Sequence, residues 1–287
     1  MAGLTDYAAQ KLLQHIVGES SYASPSTWLA LFTAAGTDAG TGFTEVSGGA
    51  YARVQVSGTE AANGSFTTSS TTITMAVSAP AWVVAGMNVH DATTGLHVGT
   101  VSSWSGTTLT LNAAAASASS GAADNLIISA FGSATGDDPS VITNVGALTF
   151  AASTASWGNV TAWGLYDAST AGNLLQWDYL GASGWYPFTC TNASPGVLTA
   201  PGITAGSSPV LANGALVELA SEWGGAPPAG LSVNTQYTVA GLAADTFNVG
   251  TNTTSIGSGM VRQVVSQSFP SGITFSFQPG MLSLRMT

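Results

Sequence analysis

His90, Asp91 and His97 form the cluster in this 287-residue chain whose types and spacing come nearest to metal chemistry. The run Val89-His90-Asp91-Ala92-Thr93-Thr94-Gly95-Leu96-His97-Val98 reads as a β-hairpin turning at Ala92 to Gly95, which brings the two imidazoles towards each other. Zinc takes three or four protein ligands, and two histidines with one aspartate leave that shell short, so no metal ligand is assigned. Asp137-Asp138 are adjacent carboxylates, but Gly136 and Pro139 around them make a solvated turn rather than an acid–base pair. Cys190 is the single cysteine; a thiol nucleophile needs a nearby base, no histidine follows His97, and Phe188-Thr189-Cys190 reads as a buried strand. His15 sits on a helix as a boundary residue. No G-x-S-x-G, phosphate-loop or H-E-x-x-H pattern occurs, and Gly48-Gly49 leads into a strand, not a helix. Catalytic, cofactor-binding and metal residues are therefore expected to be none, cofactors none, and the chain not an enzyme.

The elements that position these residues are nearly all strands. One stretch reads as helix: Thr5 as N-cap, Asp6 in the first turn, then Ala8, Leu12 and Ile16 on one stripe widened by Leu13 and Val17, with Gly18 free to take the left-handed cap. Such an apolar face has to dock on something. Trp28-Leu29-Ala30-Leu31-Phe32 is a buried strand by length, and Tyr51 to Val56 and Leu174 to Tyr179 alternate. The segment Ala168 to Asn173 reads as a hairpin loop, and Ile273 to Phe277 and Met281 to Met286 close the chain as alternating strands around Pro279-Gly280. The fold class is therefore mainly β, an antiparallel sandwich or barrel core with one N-terminal helix.

Two stretches look inserted. Residues 61–130 contain similar pieces at Thr71 to Met75 and Thr107 to Leu111, with Trp82-Val83-Val84, Met87 to Asp91 and Leu126-Ile127-Ile128, and read as a small β barrel. Residues 187–265, through Val217 to Leu219, Gln236 to Val239 and Thr246 to Val249, read as a small antiparallel module. Residues 1–60, 131–186 and 266–287 are left as the core.

Composition narrows the function. The chain has 4 Lys+Arg against 14 Asp+Glu, a net charge of −10 and 45% hydrophobic residues, which excludes intrinsic disorder. Lys11, Arg53, Arg262 and Arg285 are too few to displace counterions from nucleic acid. Met75 to Val89 is too short and too broken for a membrane span, and Met1 to Asp6 lacks the basic and apolar regions of a signal peptide. Synthesis in a cytoplasm without export is expected. So few charges leave a surface that partners must cover, and the eight Trp and seven Tyr read as core and interface filling before sugar stacking.

The opening Leu4-Thr5-Asp6-Tyr7-Ala8, with Lys11-Leu12-Leu13, His15-Ile16 and Gly18, resembles the start of a widespread family of small tailed-bacteriophage virion proteins. Leu29 to Ala34, Thr37 to Gly40, Glu45 to Gly49 with Tyr51-Ala52-Arg53, Ala155 to Gly158, Gly164 to Ala168 and Gly172 to Leu175 agree with it. Short members of that family run on to a final strand pair like the one at Phe275 to Leu284. The second insert, with Asn213-Gly214, Pro228 to Leu231 and Thr246-Phe247, looks like a module of phage fibre and appendage proteins. The resemblance implies a non-enzymatic virion structural protein on the outer surface of the particle. Its first form is a capsid decoration (cement) protein, a homo-oligomer, expected as a trimer, bound to the major capsid protein. The alternative is a tail-fibre or baseplate adhesin that contacts tail proteins and the host. In either form Leu4, Leu12, Leu13, Ile16 and Val17 are the expected assembly interface, with no nucleic acid and no membrane as partner. Truncation of residues 1–18 is expected to block assembly and leave the β core folded.

Overall fold

The computed structural model describes residues 4–19, 26–133, 140–180, 185–206, 210–221, 226–233 and 235–286. Helix α1 (Asp6–Ile16) forms where its signals predict, with the Thr5 hydroxyl accepting the Ala8 amide at 3.4 Å. It ends on a Schellman motif: Gly18, at φ +74°, donates to the His15 carbonyl at 3.1 Å, and Glu19 donates to the Gln14 carbonyl at 2.9 Å.

Strand β1 (Thr27–Ala34) buries Leu29 through Phe32 on both faces, as its unbroken apolar run requires. It lies beside β2 (Thr44–Glu45) and β3 (Val54–Ala61). The alternating pattern predicts a strand from Tyr51, but β3 starts only at Val54. Side chains hold the preceding residues instead: the Tyr51 hydroxyl donates to Glu45 Oε1 at 3.0 Å and accepts the Leu31 amide at 2.9 Å, while Arg53 pairs with the same carboxylate.

Next come β4 (Thr72–Thr74), β5 (Asn88–Asp91), β6 (His97–Ser105), β7 (Thr108–Leu111) and β8 (Asn125–Ser129), in the order β3-β8-β5-β6-β7-β4. An Ala62–Met75 bridge, with the Asn63 amide on the Thr74 carbonyl at 2.7 Å, returns the end of β4 to the end of β3. The sheet is thus nearly closed into a barrel around Ile73, Met75, Val89, Leu109, Leu126 and Ile128. The two similar pieces of sequence become partners, with Ile73 opposite Leu109. Trp82-Val83-Val84 forms turns, not a strand.

Strands β9 (Ser140–Thr143), β10 (Leu148–Thr149), β11 (Gly158–Val160), β12 (Ala162–Tyr166) and β13 (Leu174–Tyr179) follow. The path β13-β12-β1-β3 makes the barrel and the outer strands one ten-stranded sheet. The chain then builds β14 (Tyr186–Cys190), β15 (Val197–Thr199), the short helix α2 (Ile203–Gly206), β16 (Leu216–Ala220), β17 (Gln236–Thr238), β18 (Ala240–Ala243), β19 (Thr246–Asn248) and β20 (Gly257–Val264). These strands form an antiparallel seven-stranded sheet with a core of its own, including Phe188, Leu198, Val217, Leu219, Phe247 and Val261. The Val265 amide donates to the Leu180 carbonyl at 3.2 Å, so the chain enters and leaves this sheet at neighbouring points.

Strands β21 (Gln267–Phe269), β22 (Ser276–Phe277) and β23 (Ser283–Met286) close the chain. The two terminal pieces expected to pair do not: β22 pairs with β10 and β23 with β9. Asn144 ties down the connection between them. Its buried side chain donates to the Gly146 and Gln278 carbonyls at 2.8 and 2.9 Å and accepts the Leu282 amide at 2.8 Å.

Candidate functional site

The terminal helix is fixed at its root and bare along its length. Thr5, only 1% exposed, donates its amide to the Leu175 carbonyl at 3.0 Å and its hydroxyl to the carbonyls of Leu174 and Leu175. Leu4 bridges to Gln176, and the Asp6 amide reaches the Asp38 carbonyl at 2.8 Å. Beyond that first turn only Ala8 is buried. Leu13, Ile16 and Val17 are 62%, 68% and 72% exposed, and their i, i+3, i+4 spacing puts them on one face. Leu4 and Leu12 are half-buried. The five residues expected to form an interface therefore divide: three make a solvent-facing apolar patch, and two sit nearer the body of the protein.

A cleft of about 330 Å³ opens beside the helix root, lined by Thr5, Tyr7, Gly40, Arg53, Tyr166 and Asn173 among others. Arg53 is its charged wall, but four of its five N–H donors are already used. Nε and Nη2 clasp Glu45 at 2.9 and 2.7 Å, and Nη1 donates to the Ala168 and Ala171 carbonyls at 2.9 and 2.7 Å. The guanidinium also stacks 3.5 Å from the centroid of the Tyr166 ring. Arg53 thus works as a tie between the Glu45 segment and the β12–β13 hairpin, and the cleft offers aromatic surface rather than a free cation.

The other chemistry-bearing residues are accounted for singly. His90 and His97 do face each other, rings 5.3 Å apart and edge to face, at paired positions of β5 and β6. Burial, then the neighbouring His97, lowers the pKa of His90. Asp91 is turned away into its hairpin, where its Oδ1 accepts the Thr93 and Thr94 amides at 2.7 and 2.9 Å. Among the described residues no three His, Cys, Asp or Glu side chains gather as a metal set. Asp137 and Asp138 lie outside the described residues. Cys190 is 5% exposed, and burial pushes its thiol pKa up, as expected of an inert core cysteine.

One constellation has no signature in the sequence. Arg262 on β20 donates Nε to Glu218 Oε1 on β16 at 3.0 Å, contacts Asp178 on β13, and lies 4.6 Å from the Trp185 ring centroid. Glu218 is fully buried and Arg262 8% exposed, so this triad ties the seven-stranded sheet to the ten-stranded one. Desolvation pushes Glu218 up to about 7, against the pull of Arg262 and with Asp178 adding to the rise. The signal available beforehand was scarcity: with 4 Lys+Arg in the chain, each basic residue needed a reason.

With that geometry in hand, comparison with known proteins identifies the class as a bacteriophage fibre-type structural protein. The sequence model of the family described as podophage GP4 fiber I protein gp80 matches residues 3–135 and, overlapping, 97–184; this chain belongs to that family. The matched residues contain α1, the cleft and the barrel. No curated protein and no solved structure matches the chain. Among the described residues no helix is long and apolar enough to cross a membrane.

Proposed function

We propose that this protein is a tail-fibre or appendage subunit of the virion, non-enzymatic, which assembles as a homo-oligomer through the exposed face of α1. The observation that carries the reading is the patch of Leu13, Ile16 and Val17, left bare on a helix whose root is firmly bonded to β13. Burying each such side chain is worth about 1.5–3 kcal/mol, enough for a few of them per copy to sustain a multivalent contact. A trimer is the proposed state. Family membership favours the fibre alternative over capsid decoration, for which neither the fold nor the family supplies support.

In this reading residues 187–265 form an inserted module carried on the family core, and residues 61–130 a second, barrel-forming one. The seven-stranded sheet with its separate core, entered and left at Leu180 and Val265, supports the first. The nearly closed β3–β8 circuit supports the second. Partners would be copies of the same chain and tail or baseplate proteins.

Immunogold electron microscopy of intact phage with antibody to this protein tests the assignment. Label on the tail or its fibres is expected. Label spread over the head would restore the capsid-decoration reading, and unlabelled particles would remove the virion role.

A further inference from the structure

Asparagine followed by glycine is the pair in which a side-chain amide most readily closes on its own backbone, because a residue without Cβ leaves the following nitrogen free to approach. The chain holds two such pairs, Asn63-Gly64 and Asn213-Gly214. Both asparagines are exposed, and both glycines have positive φ, +103° and +88°. A Cβ built on either glycine would meet nothing within 4 Å, so crowding does not separate the two sites. Hydrogen bonding does.

At Asn213 both reacting groups are tied. Its Oδ1 accepts the Leu242 amide at 2.9 Å, and the Gly214 amide donates to the Val239 carbonyl at 2.8 Å. Ring closure there has to break the first bond to swing the side chain and the second to release the nitrogen. At Asn63 only the residue's own amide is engaged, on the Thr74 carbonyl at 2.7 Å. Neither the Asn63 side chain nor the Gly64 amide has a hydrogen-bond partner among the described residues.

We propose that Asn63 is a site of spontaneous deamidation in the folded protein, while Asn213 is shielded. The Gly64 nitrogen, giving its proton to hydroxide, bonds to Asn63 Cγ; the Cγ–Nδ2 bond breaks, and the nitrogen takes a proton from water and leaves as ammonia. Water then opens the resulting succinimide at one carbonyl or the other, leaving aspartate or isoaspartate. Either product adds one negative charge to a chain already at −10. Isoaspartate also routes the main chain through Cβ, one atom longer than before. That change falls on the seam where the Ala62–Met75 bridge and the Asn63–Thr74 bond close the barrel. The seam is where the chain ages.

The test follows both asparagines in the full-length protein at mildly alkaline pH, folded in buffer and unfolded in guanidinium chloride. Chymotryptic peptides read by mass spectrometry report the replacement of NH₂ by OH, which suits a chain with no Lys or Arg between Arg53 and Arg262. In denaturant the two sites are expected to react at similar rates. In the folded chain Asn63 is expected to keep its unfolded rate while Asn213 falls about tenfold behind, because two hydrogen bonds stand in its way. The Tm of the wild type should fall in step with isoaspartate at residue 63. That of Asn63→Ala, which keeps the backbone amide, should hold. Equal folded rates, a faster Asn213 or no reaction at Asn63 would overturn the site, and a Tm that ignores its conversion would overturn its role in the seam.

Discussion

Glu218 is a carboxylic acid held where water does not reach, and its titration should be visible in the stability of the whole chain. Burial raises it from the ordinary 4.5 to about 7, so the folded state holds a proton that the unfolded state has released. Stability contributed by this group therefore falls as pH rises from 4.5 to about 7, is unaffected below that window, and is lost in full above it. The change is on the order of 3 kcal/mol. Glu218→Gln should flatten that part of the profile, measured by urea unfolding across the window, with little loss at neutral pH because Oε1 still accepts from Arg262. Arg262→Met is the opposite case. It leaves the buried Glu218 and the half-buried Asp178 without a counter-charge and should cost about 3–5 kcal/mol in the same assay. Asn144 offers a neutral comparison. Asn144→Ala strands two carbonyls and the Leu282 amide, and a loss on the order of 3 kcal/mol is expected.

At the scale of elements, α1 is the part whose sequence and structure agree most closely, and also the part least used by the monomer. Leu13→Asp with Ile16→Asp should leave the unfolding free energy of the isolated chain within about 0.5 kcal/mol, because neither side chain is buried. The same double variant is expected to run as a monomer in light scattering where the wild type runs as an oligomer. Helix and hairpins were legible because each depends on local period, a cap or a short turn, whereas the pairing of the two similar pieces as β4 and β7 was not read from their likeness. The start of β3 was not, since Tyr51 and Arg53 alternate like strand residues but spend their polar ends on Glu45. Nor were the β9–β23 and β10–β22 pairings, which join short strands far apart in the chain. The Arg262 triad was hidden for the same reason, its Asp178 partner lying 84 residues away. Among the expected site residues, pattern alone found the helix stripe but not which of its members face outwards.

For the molecule as a whole, the Val265–Leu180 hydrogen bond makes a clean excision conceivable. Replacing residues 181–264 by a short Gly-rich turn should leave a chain that still gives a β-type circular dichroism spectrum and one cooperative thermal transition, at a lower Tm. Loss of that transition would show that the seven-stranded sheet is needed for the rest to fold. The loss of Tm is expected because Trp177, Tyr179 and Phe32 share a buried cluster with Val264. The ten-stranded sheet has a further property that follows from how its two ends are finished. At one end β4 bends back to β3; at the other, β13 is covered by Leu4 and Thr5 just before the helix. A sheet with both borders occupied has little backbone to offer to a neighbouring chain, which matters for the side-by-side assembly of copies proposed above. Truncating residues 1–18 does more than delete an apolar stripe, because it also uncovers the carbonyls of Leu174 and Leu175 and the bridge position at Gln176. Such a chain invites strand-to-strand pairing with its own copies, so insoluble aggregates rather than clean monomers are the expected product of that deletion.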